Sequence, residues 1–169
     1  MENLITLDEF GRMVPTDREA LLRAVTALLD EPLEEPAPLR RAGVGLLVLG
    51  RREEAIATLE RALALADNKR AVAVHINLGD AHRYGGDLEA AEPHYQRALQ
   101  LCQEHAPDLR YFCLQHLGKQ RLDQGRTREA RALLEDALRQ RRAQGDPALI
   151  AATETALRLV DRAEAAATP

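Results

Sequence analysis

The chain contains no tryptophan and no serine, and only 3% of its 169 residues are aromatic. Without serine there is no serine nucleophile. With so few aromatics there is no platform of stacking rings interleaved with basic residues, as single-stranded nucleic acid requires. Lysine is scarce as well: Lys69 and Lys119 are the only two, and arginine carries the basic charge. The net charge of −4 supplies no global positive field, so no nucleic-acid partner is expected. The two cysteines, Cys102 and Cys113, stand in no metal or redox spacing and read as small buried thiols. No apolar run approaches membrane-spanning length, so no membrane partner is expected. The start, Met1-Glu2-Asn3-Leu4, lacks the basic and apolar segments of a signal peptide, and a cytoplasmic location is the expectation. The bias toward Ala, Leu and Arg suits a high-GC bacterial genome.

Catalytic and cofactor motifs are missing too. Gly43-Val44-Gly45 begins like a dinucleotide fingerprint, but Val48 stands where its third glycine belongs and no strand precedes it. The nearest approach to a phosphate loop is Gly118-Lys119-Gln120. The five histidines have no metalloprotease spacing, and His75 and His82, seven apart, read as core or groove-edge residues. Nothing assembles a nucleophile, a base and an orienting group, so neither an enzyme nor a cofactor or metal is expected.

What the chain does have is a repeated spacing. A Gly is followed after seven residues by Gly, after five more by Ala, and after seven more by Ala-Leu. The copies are Gly43, Gly50, Ala55, Ala62-Leu63; Gly79, Gly86, Ala91, Ala98-Leu99; and Gly118, Gly125, Ala130, Ala137-Leu138. Their offsets of 36 and 39 residues are those of a helical repeat, in which stacked helix pairs replace a globular core. Gly in a helix interior costs about 1 kcal/mol relative to Ala, so three at equivalent places imply a steric demand. Each is expected to face the Ala of its partner helix, with the later alanines facing the next pair.

Thr16-Asp17-Arg18-Glu19 reads as a capping box, opening a helix that ends near Asp30. Pro32, Pro36 and Pro38 mark a connector. Before that helix, Leu7 to Met13 is expected to form a short helical turn. Three helix pairs follow, at about 39–49 with 52–65, 69–84 with 88–103, and 108–123 with 128–142. Asp87 and Thr127 are expected N-caps. Asp146-Pro147 opens a last helix that closes the stack. The resulting units are 1–35 (N-terminal segment and capping helix), 36–71, 72–110, 111–145, and a C-terminal cap at 146–166.

Aligned in this way, the chain resembles the tetratricopeptide repeat family. The second copy carries most of the likeness, with Asn77-Leu78-Gly79, Gly86 and Ala91-Glu92-Pro93-His94-Tyr95-Gln96-Arg97-Ala98-Leu99. It is most similar to the longer-period variety found in kinesin light chains. The resemblance implies an all-α, right-handed α-solenoid of three helix pairs, flanked by an N-terminal helix and a C-terminal capping helix. It also implies that Pro93 bends a continuous helix. Leu39, His75 and Leu114 replace one of the family's usual aromatics, Leu46, His82 and Arg121 another. Only Tyr95 keeps the aromatic of the second helix.

The family's first helices line a concave groove. Carried over position by position, its groove residues are Arg40, Arg41, Val44 and Leu47, with Val48; Asn77, Asp80, Arg83 and Tyr84, with Ala73 and Ile76; and Phe112, Gln115, His116 and Lys119, with Leu122 and Asp123. The resemblance implies that Asn77 hydrogen-bonds the backbone of an extended peptide, since an amide both donates and accepts. The family's chaperone-tail clamp is not reproduced, because Val44 replaces its first-repeat Asn and Phe112 and His116 its basic pair. The expected function is a protein–protein adaptor that binds a peptide or protein segment. The positive excess among the groove charges favours an acidic partner. The alternatives are a self-associating scaffold and a receptor for a small peptide signal.

The first repeat is apolar nearly all round, with Leu39, Leu46 and Leu49 opposite Val44, Leu47 and Val48, so something must cover it. Three covers are open. The N-terminal segment bearing Leu4, Ile5, Leu7 and Phe10 can fold into the groove, a second copy can dock, or the helix over 17–30 can cap it.

Overall fold

The computed structural model describes residues 1–32 and 34–167. Residue 33, within the proline-bearing connector, lies outside them. The chain opens with a 3-10 turn at Glu2–Leu4 and a hairpin of β1 (Ile5–Leu7) and β2 (Met13–Pro15), paired antiparallel with Thr6 opposite Val14. Eight α-helices follow among the described residues: α1 (Arg18–Leu29), α2 (Pro36–Val48), α3 (Arg52–Leu65), α4 (Asn68–Tyr84), α5 (Leu88–His105), α6 (Arg110–Asp123), α7 (Thr127–Gln144) and α8 (Pro147–Ala166). None is long and apolar enough to cross a membrane.

The helical turn expected at Leu7–Met13 is not formed. Asp8 and Gly11 redirect that segment. The Asp8 carboxylate accepts from the amides of Phe10 and Arg12 at 2.9 Å, and the Gly11 amide donates to the Asp8 carbonyl. Gly11 has φ +67°, the left-handed residue such a hairpin turn needs.

Local chemistry accounts for the helix ends. Asp17, not Thr16, is the cap of α1, accepting from the Ala20 amide at 2.9 Å, while Thr16 donates to the Asn3 carbonyl. Asp67, Asp87 and Asp146 cap α4, α5 and α8 in the same way. Thr127 is the first residue of α7 and no cap, and the side chain of the preceding Arg126 makes no capping bond. The connector is shorter than expected. Pro36 and Pro38 lie in the first turn of α2, where a missing amide costs nothing because that amide would have no helical partner. Helix α5 runs on through Pro93. Between paired helices, Gly50, Gly86 and Gly125 take φ of +80°, +82° and +73°, a left-handed turn that a Cβ would strain.

The dominant packing is α2 on α3, α4 on α5 and α6 on α7, with α3 touching α4 and α5 touching α6. This is the all-α stack of hairpins. The repeated glycines work differently from expectation. A Cβ on Gly43, Gly79 or Gly118 would lie 2.7, 2.6 or 2.8 Å from the side chain of Leu59, Tyr95 or Leu134. For Gly43 and Gly118 the expected alanines, Ala55 and Ala130, contribute only a backbone oxygen at 3.4 Å. The glycine makes room for the large residue one turn beyond the alanine, because side chains lean along the helix and the bulky knob reaches farther than a methyl group.

The apolar α2 is covered from both sides. Leu21 and Val25 of α1 pack with Leu46, Leu47, Val48 and Leu49, and Met1, Leu4, Ile5 and Met13 join the same cluster. Phe10, which the groove-filling alternative would turn inward, is 58% exposed at the hairpin tip.

Candidate functional site

Helices α2, α4 and α6 lie side by side, and α6 also touches α8. Their shared face is concave, and the hairpin lies across it. Between hairpin and helices is a cavity of about 270 Å³. Its roof is Leu7, Gly11 and Met13. Its floor is Arg40 and Val44 from α2, Asn77, Asp80 and Tyr84 from α4, and Phe112, Gln115, His116 and Lys119 from α6. Arg141, Leu149 and Ala152 close the far end.

Nine of the twelve principal groove residues named from the sequence therefore meet in one place. Of the five accessory positions, Val48 and Ile76 are buried in the core, Leu122 and Asp123 line a separate depression, and Ala73 is half-buried outside the cavity. The other three principal residues do not line it either. Arg41 faces a smaller depression with Met1, Ile5, Arg40 and Val44. Leu47 is buried against the N-terminal elements. Arg83 lies beneath the floor, buried between two carboxylates.

Main-chain groups of the hairpin are held by side chains of the concave face. Lys119 Nζ donates to the Gly11 carbonyl at 2.9 Å. The Met13 amide donates to Tyr84 Oη at 3.0 Å. Beside them, Arg40 Nη1 donates to Asn77 Oδ1 at 3.2 Å. Asn77 is thus oriented by a neighbour of the preceding repeat and buried at 6% exposure.

At the centre is a buried polar knot around Asp80. Tyr95 Oη donates to its Oδ1 at 2.7 Å, Arg83 Nη2 donates to the same oxygen at 3.3 Å and His116 Nδ1 lies 3.2 Å from it, while Oδ2 is buried without a hydrogen-bond partner. Burial would raise the carboxyl pKa, but His116, Arg83 and Tyr95 outweigh it and hold the group below the usual carboxylate range. Burial lowers His116 from its ordinary value against the opposing pull of Asp80, and facing that carboxylate its Nδ1 is the donor. Arg83 also donates to Asp123 at 2.9 Å, which ties the second repeat to the third. Lys119 is brought down to about 8, chiefly by burial and despite Asp80, with Arg83 and Arg141 adding to the drop.

The histidines of α4 lie elsewhere. His75 and His94 approach through their Nδ1 atoms at 3.2 Å, and His82 stacks on His94 at 5.5 Å between centroids. Among the described residues no group of three His, Cys, Asp or Glu side chains could hold a metal.

Sequence reasoning missed Gly11, Met13, Arg141, Leu149 and Ala152 as lining residues. The turn signal of Asp8 with Gly11 was readable, but nothing local says where the hairpin docks. Arg141 lies in the run Arg139-Gln140-Arg141-Arg142, which looks solvated throughout.

A sequence model of the tetratricopeptide repeat family matches residues 35–104 and 70–143. Comparison with curated proteins returns no significant match.

Proposed function

The chain belongs to the tetratricopeptide repeat family, and from that premise we propose that its concave face is an adaptor surface that grips an extended segment of another protein. Repeats of this kind mediate protein–protein interactions, and the reading is of a binder without catalysis. One observation carries it: the groove already holds polypeptide by its main chain, through Lys119 on the Gly11 carbonyl and Tyr84 on the Met13 amide. A side chain that grips a peptide unit needs no particular side chain in return, so the same groups suit a foreign segment. Asn77 stands two turns before Tyr84 on α4 with its Oδ1 engaged by Arg40, which orients its amide nitrogen to donate. The concave face and the side chains beneath it carry Arg40, Arg83, Lys119 and Arg141 against Asp80 and Asp123, and this excess favours an acidic segment. The segment enters where the hairpin now lies, so the hairpin and the partner share one surface. A cytoplasmic setting accords with this role.

Self-association is the second reading. The apolar α2 face that suggested it is occupied by α1 and residues 1–13, so no observation favours it over a foreign partner.

The test is selection of binding peptides from a displayed random library on the full chain. Affinities are then measured by fluorescence anisotropy for wild type, Asn77→Ala and Lys119→Met. Loss of one main-chain contact is expected to weaken binding about tenfold. Peptides that bind all three proteins equally would remove the groove from the account.

A further inference from the structure

Arg141 is 1% exposed and lines the cavity. All its hydrogen bonds leave from Nη1, to the Leu149 carbonyl at 2.8 Å, to Thr153 Oγ1 at 2.7 Å and to Gln115 Oε1. None of these acceptors is charged. Its Nε has no partner at all. Its charge faces the Tyr111 ring, 5.2 Å from the guanidinium carbon, and the Asp146 carboxylate acts on it only from beyond ion-pair distance. Buried arginines are ordinarily matched by a carboxylate, because an unmatched cation away from water is costly. The edge formed by Nε and Nη2, the fork that fits the two oxygens of a carboxylate, is unused. The other buried arginine of the site, Arg83, has both its carboxylates. The deficit is therefore specific to the far end of the cavity.

The neighbours of Arg141 complete a binding site. Lys119 brings a second buried cation to the same space, anchored to the hairpin roof. Phe112, Leu149 and Leu7 add apolar wall. A volume of about 270 Å³ falls just below the range of drug-sized ligand pockets and suits a smaller molecule. With the hairpin over it, the volume is too small for a through-running chain. We propose that this cavity binds a small organic carboxylate, its anionic head on the free edge of Arg141 and its apolar body against Phe112 and Leu149. The ligand's charge also meets Lys119, so its binding fastens the hairpin over it. The site does not rest on the peptide reading, since it requires the hairpin in place and no partner protein.

The full-length protein is titrated calorimetrically with hexanoate, phenylacetate and glutarate, each beside its neutral amide. At least one acid is expected to bind with a Kd under about 1 mM, and its amide at least roughly tenfold more weakly. Amide exchange of the hairpin is expected to slow when the acid is bound. Arg141→Met removes the charge and should abolish binding. Because that variant can also disturb Gln115 and Thr153, Ala152→Leu supplies a second arm, filling the apolar end while leaving Arg141 intact, and it too should lose the ligand. The proposal is overturned if no acid binds, if acid and amide bind alike, or if Ala152→Leu binds as wild type does. Binding of a free-ended trialanine peptide where the three acids fail would also overturn it, because the carboxylate would then belong to a chain end.

Discussion

Lys119 Nζ donates to the backbone carbonyl of Gly11 at 2.9 Å, joining residues 108 positions apart. With Tyr84 on the Met13 amide, it fastens the hairpin to the concave face through hydrogen bonds. Removing both, in Lys119→Met with Tyr84→Phe, should speed amide exchange across Thr6 and Met13 by roughly tenfold or more. Exchange in α4 and α5 should stay as in wild type. Hairpin amides as protected as before would mean that the apolar contacts of Leu4, Ile5 and Met13 hold it alone.

Gly79→Ala is expected to destabilise the fold by about 1–3 kcal/mol, despite the better helix propensity of alanine. The new Cβ would lie 2.6 Å from the Tyr95 ring, which cannot retreat without losing its bonds to Asp80 and Arg83. Gly43→Ala and Gly118→Ala meet Leu59 and Leu134, which can change rotamer, and should cost less. Urea unfolding of the three variants gives the ranking; equal costs would show that Tyr95 is not pinned.

Asp80→Asn removes the carboxylate that faces Arg83, Tyr95 and His116. Breaking a buried pair from one side leaves a buried cation undercompensated, and a loss of about 3 kcal/mol is expected, the low end of the range because Asp123 still meets Arg83. Thermal unfolding at neutral pH measures it. A variant as stable as wild type would place the weight of the knot on Asp123 instead.

Acid should weaken the protein through its histidines before most carboxylates titrate. Burial, then His94 and Arg97, bring His75 down from 6.5 to about 4. His94 is lowered by burial and His82 against Glu60, and His116 by burial against Asp80. A histidine with a depressed folded pKa binds fewer protons folded than unfolded. Its stabilising contribution is therefore complete above about pH 6.5 and is lost as pH falls toward 4. Melting temperature should decline across that window, and His75→Gln should flatten the decline. An identical slope in the variant would assign the acid sensitivity to other groups.

Much of the stack was legible in the sequence because its signals are local. The left-handed glycines 50, 86 and 125, the capping aspartates 87 and 146, and the 36- and 39-residue offsets each act within a turn or a single helix pair. The alignment of α2, α4 and α6 follows from that period, so nine concave residues could be named together. Thr16 and the Leu7–Met13 segment were misread where two local signals compete and the stronger side chain, Asp17 or Asp8, wins the backbone amides, whereas Thr127 lies just inside α7, whose start has no side-chain cap.

The amino-acid order by itself determined that helices pair, where they turn and which face is shared, since these depend on interactions a few residues apart. Only the tertiary structure decided that Gly43 shelters Leu59 and not Ala55, that the hairpin lies under the hand of Lys119, and that Arg141 alone of its arginine-rich run turns inward without a carboxylate. Those outcomes depend on which distant side chains fill the same volume, and no spacing along the chain encodes the shape of a space until the helices that bound it have packed.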